Sequence, residues 1–267
     1  MATLDPVIRE YYERGGEAAR LSGGFPSGRL ELARTQELVA RYLGPAPQTV
    51  LDVGGGPGIY AAWLVSLGHT VDLVDPVVLH VAQARAAAPG ASCEVGDARA
   101  LTQADDSVDA VLLLGPLYHL VDRADRLLAL REARRVLRPG GWVFAAAISR
   151  FAGLFDLLVP QDRLHQPEIL VAVEEAIETG VFHGNQDGLF TTAYFHRPGD
   201  LADEVADAGF ALEHVFNIEG PGFLVPDLEV RWQDPSRRDV LLHAARMVET
   251  EPTLLGASSH LLAVARA

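Results

Sequence analysis

The chain has 267 residues, of which 49% are hydrophobic, so it can form one large domain with a buried core and is not disordered throughout. Its 36 acidic and 22 basic side chains give a formal net charge of −14, and every fixed positive side chain is an arginine because the chain contains no lysine. Such a surface repels phosphate backbones, so we expect no nucleic-acid partner.

The N-terminal stretch Met1–Arg9 lacks the pattern of a signal peptide, and no apolar run approaches the roughly 20 residues that cross a bilayer. Cys93 is the single cysteine, which excludes an internal disulfide and fits a reducing compartment. We therefore expect a cytoplasmic protein without a membrane partner, either a monomer or a homodimer.

Residues 1–48 are predicted to form a helical arm. Pro6–Leu43 has helical patterning that is interrupted at Gly23–Gly28, and Glu31 and Arg34 lie at helical spacing opposite the leucines of the same helix. A proline-rich stretch then ends the arm.

Strands and helices alternate over residues 49–148. The predicted strands are Thr49–Val53, His69–Val74, Ala91–Val95, Val108–Leu114 and Trp142–Ile148, and the predicted helices are Ile59–Leu67, Val77–Ala88 and Arg123–Leu137. Pro139-Gly140-Gly141 is interpreted as the stop of the last helix. Near-continuous apolar strands that alternate with helices indicate a parallel sheet covered on both faces, a doubly wound α/β fold.

The alternation stops in an insertion, residues 149–190, which lacks a clear strand and contains a helix-like segment at Pro167–Thr179, followed by Gly184, Asn185 and Gly188. We expect it to lie over the carboxyl edge of the sheet. Its apolar residues favour a pocket for a small, partly apolar ligand, with an ordinary packing or dimer surface as the alternative. These apolar residues are Phe151, Phe155, Leu157, Leu158, Val159, Leu170 and Val171.

Residues 191–267 return to the sheet. The predicted elements there are a helix at Asp200–Ala208, a strand at Ala211–Ile218, a helix at Arg237–Glu249 and a final strand at His260–Arg266.

The segment Leu51–Gly58 is the most informative stretch, because a strand that ends in glycines before a helix lets backbone approach an anionic or polar ligand. Its pattern is D-x-G-x-G-x-G, beginning at Asp52. Dinucleotide-binding domains place their third small residue one position later, where this chain has Ile59. A nicotinamide-dependent oxidoreductase is therefore disfavoured and remains the alternative enzyme.

Asp75 ends the second strand, and a carboxylate there can accept hydrogen bonds from the two hydroxyls of a ribose. The alternative is a solvated acid in an Asp75-Pro76 turn.

These motifs together resemble the class I, Rossmann-like S-adenosylmethionine-dependent methyltransferases. The similarity is carried, in chain order, by the glycine loop, Asp75, Gly96-Asp97-Ala98, the segment Leu113–His119 and Leu137–Gly141. It implies the strand order 3-2-1-4-5-7-6 with an antiparallel strand seven, and an arm that closes over the cofactor. It implies S-adenosylmethionine as the cofactor, bound by Tyr12, Arg20, Asp52, Gly54, Gly56, Asp75, Pro76, Gly96, Asp97, Ala98, Leu114, Gly115 and Tyr118.

Methyl transfer needs alignment and exclusion of water, and it needs a general base only when the acceptor must lose a proton. The candidate bases are His119, which follows strand four, His196 and His260, with a packed structural residue as the alternative for His119. An ordinary histidine has a pKa near 6.5. No Cys/His pair has metal-ligand spacing, so no metal is expected. We predict a methyltransferase that acts on a small molecule; a non-catalytic S-adenosylmethionine-binding protein is the alternative outside the enzymes.

Overall fold

The computed structural model describes residues 4–25, 27–184 and 189–267. Asn185 and Gly188, which belong to the predicted insertion, and Met1–Thr3 lie outside the described residues. No helix among the described residues is long and apolar enough to span a bilayer.

The N-terminal arm is helical, as predicted. It consists of α1 (Pro6–Glu13), α2 (Glu17–Ala19), a π-helical turn (Arg20–Gly24) and α3 (Gly28–Leu43). Asp5 caps α1 by accepting a hydrogen bond from the Val7 amide. Glu31 and Arg34 of α3 are buried beside the leucines rather than solvated, because each is paired with a charge from another segment.

The core alternates between strands and helices. Its elements are β1 (Thr49–Val53), α4 (Ile59–Ser66), β2 (Thr70–Asp75), α5 (Val78–Ala87), β3 (Ser92–Val95), β4 (Val108–Leu113), α6 (Pro116–His119), α7 (Arg123–Val136) and β5 (Leu137–Ile148). The predicted helix stop at Pro139–Gly141 is wrong in one respect: α7 ends at Val136, and these residues belong to an irregular first part of β5.

The remaining elements are α8 (Ala152–Leu158), α9 (Pro167–Thr179), β6 (Val181–Phe182), β7 (Ala193–Tyr194), α10 (Pro198–Asp207), β8 (Ala211–Asn217), a 3-10 turn (Gly220–Leu224), α11 (Leu228–Gln233), α12 (Pro235–Val248), a second 3-10 turn (Leu255–Ala257) and β9 (His260–Arg266). The insertion thus contains a strand, β6, which pairs antiparallel with β7. Two-residue strands are too short to show an alternating pattern, so the sequence analysis missed them.

The main sheet has seven strands in the order β3-β2-β1-β4-β5-β9-β8. The first five are parallel, and β9 runs antiparallel to both of its neighbours. Once the two short strands β6 and β7 are set aside, this is the predicted order. Two separate hydrophobic clusters cover the two faces of the sheet, as expected for a doubly wound fold.

The register of the sheet determines where ligands can bind. Val53 at the end of β1 is paired with Val74 on β2 and Leu113 on β4, so the loops after these three strands lie side by side at the carboxyl edge. Open α/β sheets bind their ligands at this edge.

Candidate active site

The glycine loop after β1 requires glycine for two physical reasons. Gly54, Gly56 and Gly58 have φ angles of +67°, +56° and +89°, which residues with a side chain rarely adopt. A Cβ atom at Gly54 would also lie 2.7 Å from Cγ of Pro116, and one at Gly58 would lie 2.9 Å from Cα of Ala84. The loop therefore packs closely on two neighbouring segments while its backbone lines a cavity.

Asp52 lies beneath this loop with almost no solvent exposure, and no side chain of the described residues donates a hydrogen bond to its carboxylate. Burial and the nearby charge of Asp75 raise the pKa of Asp52 to about 7. A buried carboxylate without a side-chain donor is costly, so its place beside a cavity fits a ligand that brings a positive charge or hydrogen-bond donors. The α-ammonium of S-adenosylmethionine has both.

Asp75 is buried at the end of β2, which rules out the alternative of a solvated acid in a turn. Its oxygens accept hydrogen bonds from the backbone amides of Gly56, at 2.9 Å, and Val77, at 2.8 Å, and Nδ1 of His80 lies 3.1 Å from one of them. This carboxylate therefore holds the glycine loop in place. It also lines the cavity, and its proposed contact with a ribose stays a prediction.

Asp97 follows β3 and lines the same cavity. Its carboxylate accepts hydrogen bonds from the backbone amide and the guanidinium of Arg99, which also contacts Asp125. Although burial alone would raise the pKa of Asp97, the bonds from Arg99 lower it below the ordinary value. Asp97 is thus held as a charged acceptor beside the cavity.

All thirteen predicted cofactor residues, and His119 with them, line one cavity of about 130 Å³, which we call the first cavity. The arm closes it from above: Ile8 and Tyr12 of α1 are buried against Val77. The Tyr12 hydroxyl lies 2.6 Å from Nε2 of His119 and so joins the arm to the loop after β4.

A second cavity of about 350 Å³ adjoins the first, and Tyr12, Arg20 and Tyr118 line both. Its walls come from the arm, the insertion, the last residue of β5 and the first residue of β9. The apolar lining residues are Phe25, Ile148, Ala152, Leu157, Phe182, Leu189, Phe190 and Phe195.

The insertion supplies this pocket with residues that the sequence analysis did not single out. Of its seven cited apolar residues, Leu157 lines the second cavity, whereas Leu158, Val159, Leu170 and Val171 are exposed. Phe182 and Phe195 stack with their ring centroids 5.7 Å apart and form part of the wall instead. Phe182 is the last residue of β6 and Phe195 directly follows β7, and the signal in the sequence is an aromatic residue on each side of the glycine-containing stretch 184–188.

His119 lies in the first cavity at the end of α6. Burial lowers the pKa of His119 to about 4, so the value near 6.5 expected from the sequence is wrong for this site. The ring is neutral at neutral pH and can accept a proton, but its Nε2 already contacts the Tyr12 hydroxyl.

His260 lines the second cavity at the start of β9. Its Nδ1 lies 2.6 Å from Glu219 and 3.8 Å from Glu31. Although burial opposes it, the charges of Glu31 and Glu219 raise the pKa of His260 to about 9, so the ring is protonated at neutral pH. These three side chains are close enough to share a metal ion, but Arg20 and the protonated ring already supply positive charge there.

His196 is not among the residues of either cavity. Its fully buried Nε2 lies 3.2 Å from Glu204, which also binds the buried guanidinium of Arg126. Despite burial, the contacts with His196 and Arg126 lower the pKa of Glu204 to about 2. This network joins α7 to α10, so His196 lies in a structural position.

Comparison with known proteins agrees with this geometry. Residues 51–145 match the family model described as a methyltransferase domain. The chain is 38% identical over 106 residues to a malonyl-[acyl-carrier protein] O-methyltransferase of Methylococcus capsulatus, covering 38% of each protein. It is 31% identical over 171 residues to a ubiquinone biosynthesis O-methyltransferase of Methylobacterium nodulans, covering 60% of this chain and 66% of that protein.

A solved structure also shares the fold. It is a putative methyltransferase in complex with the Trm112 methyltransferase activator of Haloferax volcanii, with a TM-score of 0.63, 21% identity and 97% of each chain covered. The chain thus spans less than two thirds of the two curated relatives. Residues 51–145, which contain the glycine loop, Asp75 and the loop after β4, thus form a methyltransferase domain, and the chain as a whole shares the fold of this solved structure.

Proposed function

We propose that this protein is an enzyme that transfers a methyl group from S-adenosylmethionine to a small, partly apolar acceptor. The observation that carries the proposal is the junction of two cavities at Tyr12, Arg20 and Tyr118. One cavity has the polar residues of the cofactor site, and the other has aromatic and aliphatic walls. Two ligands held in these cavities would meet at the junction, as a two-substrate transfer requires.

The first cavity is suited to the cofactor. S-Adenosylmethionine, when bound, supplies an electrophilic methyl group on a sulfonium sulfur. Asp52 offers a carboxylate without a side-chain donor, the backbone of the glycine loop lines the cavity, and Asp97 is a charged acceptor in the same lining. Asp75 keeps the loop in position through the Gly56 amide.

The second half of the site orients the acceptor and excludes water. The arm covers the junction with Tyr12, whose pKa is raised well above its ordinary value by burial. Tyr12 therefore stays protonated and can donate its hydroxyl hydrogen to the neutral Nε2 of His119. In this proposal the acceptor proton passes to the Tyr12 oxygen while the Tyr12 hydroxyl hydrogen passes to Nε2 of His119, whereas a carboxylate acceptor needs no base.

Two of the relatives are named as O-methyltransferases, and they support oxygen as the attacking atom. We therefore propose that the methyl group is transferred to an oxygen atom of the acceptor.

Titration calorimetry tests the cofactor assignment. S-Adenosylhomocysteine should bind and stabilise the fold by about 2.7 kcal/mol at a hundred times its dissociation constant, and NADH should not. Binding of NADH alone would contradict the proposal. Incubation with S-adenosylmethionine and a panel of carboxylic acids, phenols and amines should then yield S-adenosylhomocysteine. Tight binding without turnover on any acceptor would favour a non-catalytic binding protein.

A further inference from the structure

The polar end of the second cavity contains a layered arrangement of charges. Arg20 and His260 line the cavity, while the carboxylates that neutralise them do not. Arg20 binds Glu17 and both oxygens of Glu31. A ligand in the cavity therefore meets the cations first.

The ring of His260 is held in one orientation. Glu219 is fully buried, and its Oε1 lies 2.6 Å from Nδ1 of His260. Its Oε2 accepts hydrogen bonds from the His260 backbone amide, at 3.1 Å, and from the Ser258 hydroxyl, at 2.7 Å. Since Nδ1 is occupied, Nε2 is the ring nitrogen that remains for a ligand. The side chain is 16% exposed, and it lines the cavity.

The other titratable groups that line the cavity are three tyrosines and one acid. Burial raises the pKa of Tyr11, Tyr12 and Tyr118, so their hydroxyls stay protonated. Asp156 is the acid among the lining residues; burial raises its pKa, and it accepts a hydrogen bond from Gln161. The cavity thus combines an apolar wall with an end at which the cations Arg20 and His260 face the ligand in front of their carboxylate partners; we call this the cationic end.

We propose that the second cavity selects an apolar acceptor that carries an anionic oxygen group, and that Nε2 of His260 donates a hydrogen bond to this oxygen beside Arg20. This inference rests on the proposed function, which identifies the ligand of the second cavity as the methyl acceptor. It assigns His260 to recognition of the acceptor rather than to removal of a proton. A charged donor oriented by a buried carboxylate binds an anionic oxygen more strongly than it binds a neutral one.

Three probes with one apolar body test this selectivity: 3-phenylpropanoate, 3-phenylpropan-1-ol and 3-phenylpropan-1-amine. Their dissociation constants are measured by calorimetry on the protein with and without S-adenosylhomocysteine. We expect the acid to bind at least about 10-fold more tightly than the alcohol and the amine. The preference should disappear as the pH rises above about 9, where His260 loses its proton.

Two substitutions separate the charge of the ring from its shape. His260→Asn can keep a donor towards Glu219 but removes Nε2, so it should abolish the preference for the acid; His260→Gln can keep a neutral donor near Nε2 and should retain part of it. His243→Asn, on the exposed surface of α12, is the matched control and should change nothing. If the Asn variant does not fold, the Gln variant carries the test.

A preference for the amine, the absence of binding by all three probes, or an unchanged preference in a folded His260→Asn protein would overturn the inference. Failure of the proposed function has a different signature. In that case S-adenosylhomocysteine does not bind, while selective binding of the acid by the free protein would still support the cationic end of the cavity.

Discussion

The two cavities that meet at Tyr12, Arg20 and Tyr118 are built in different ways. The first is formed mainly by loops that each follow a strand of the parallel sheet, so their residues lie within a few positions of a strand end. The second combines the arm, the insertion and the start of β9, which are far apart in the chain. A site made from strand ends is visible in local motifs, whereas a site made from distant segments is not.

One histidine from each cavity, His119 and His260, shows the same contrast in chemistry. His119 is surrounded by aromatic rings, and burial lowers its pKa to about 4. His260 faces Glu31 and Glu219, and their charges raise its pKa to about 9 in spite of burial. The His119 ring is thus neutral and the His260 ring is charged at neutral pH, because the charges around the two rings differ.

Replacement of His119 should have the largest effect on activity. If His119 accepts the acceptor's proton, His119→Ala should lower turnover by about 10²–10⁴-fold with little change in the affinity for S-adenosylhomocysteine. If it only positions the acceptor, KM should rise instead. Steady-state kinetics and calorimetry on the same preparation distinguish the two. A folded variant with wild-type turnover would remove His119 from the mechanism.

Replacement of Asp75 should affect the cofactor half alone. Asp75→Asn should weaken S-adenosylhomocysteine binding by roughly 2–4 kcal/mol, because charged hydrogen bonds to the ribose and to the glycine loop are lost. The apolar probes should still bind the second cavity. Asp72→Asn, on the same strand but outside the first cavity, is the control. Unchanged affinity in a folded Asp75→Asn protein would contradict the ribose assignment.

The two histidines should give opposite pH dependences of stability. The pKa of His119 is lower in the folded protein than the ordinary 6.5, so its contribution is complete above pH 6.5 and falls as the pH drops towards 4. The pKa of His260 is higher, so its contribution is complete below pH 6.5 and falls as the pH rises towards 9. Over its own pH range, each histidine should change the free energy of unfolding by about 1 kcal/mol per pH unit.

Urea unfolding of the wild type, His119→Gln and His260→Gln between pH 4 and pH 9 measures these slopes. Each variant should lose only its own slope. Parallel curves for all three proteins would show that the two rings do not differ in charge.

We expect the smallest effects from substitutions of two glycines, one beside each cavity. Gly54→Ala should destabilise the protein by about 1–3 kcal/mol and weaken cofactor binding, since the residue has a positive φ angle and packs on Pro116. Gly153 lies in α8 beside the second cavity, and its Cβ atom would meet Phe195 at an ordinary 3.7 Å. Gly153→Ala should therefore stabilise by about 0.4–1 kcal/mol.

Thermal unfolding of both variants gives the comparison directly. Equal effects at the two glycines would show that the cofactor half is no more tightly constrained than the acceptor half.

Most of the cofactor half could be predicted because each of its residues is tied to a strand end. Asp52, Gly54, Asp75 and Asp97 were located by motif, and the parallel register brings them to one edge. What could not be predicted was how the protein itself uses them: Asp75 binds the Gly56 amide, whereas Asp52 has no side-chain donor among the described residues. Those contacts depend on side-chain directions that a motif does not contain.

From the sequence by itself, the doubly wound sheet followed from periodicity, which is a local property of the chain, whereas the strand order and the residues of the first cavity were implied by the resemblance of its motifs to a known family. Only the tertiary structure decided which segments enclose the second cavity and which histidines are charged. His196 pairs with Glu204, His260 with Glu219 and His119 with Tyr12, and each partner comes from a different element. Protonation depends on burial and neighbouring charge, and both are set when distant segments pack together.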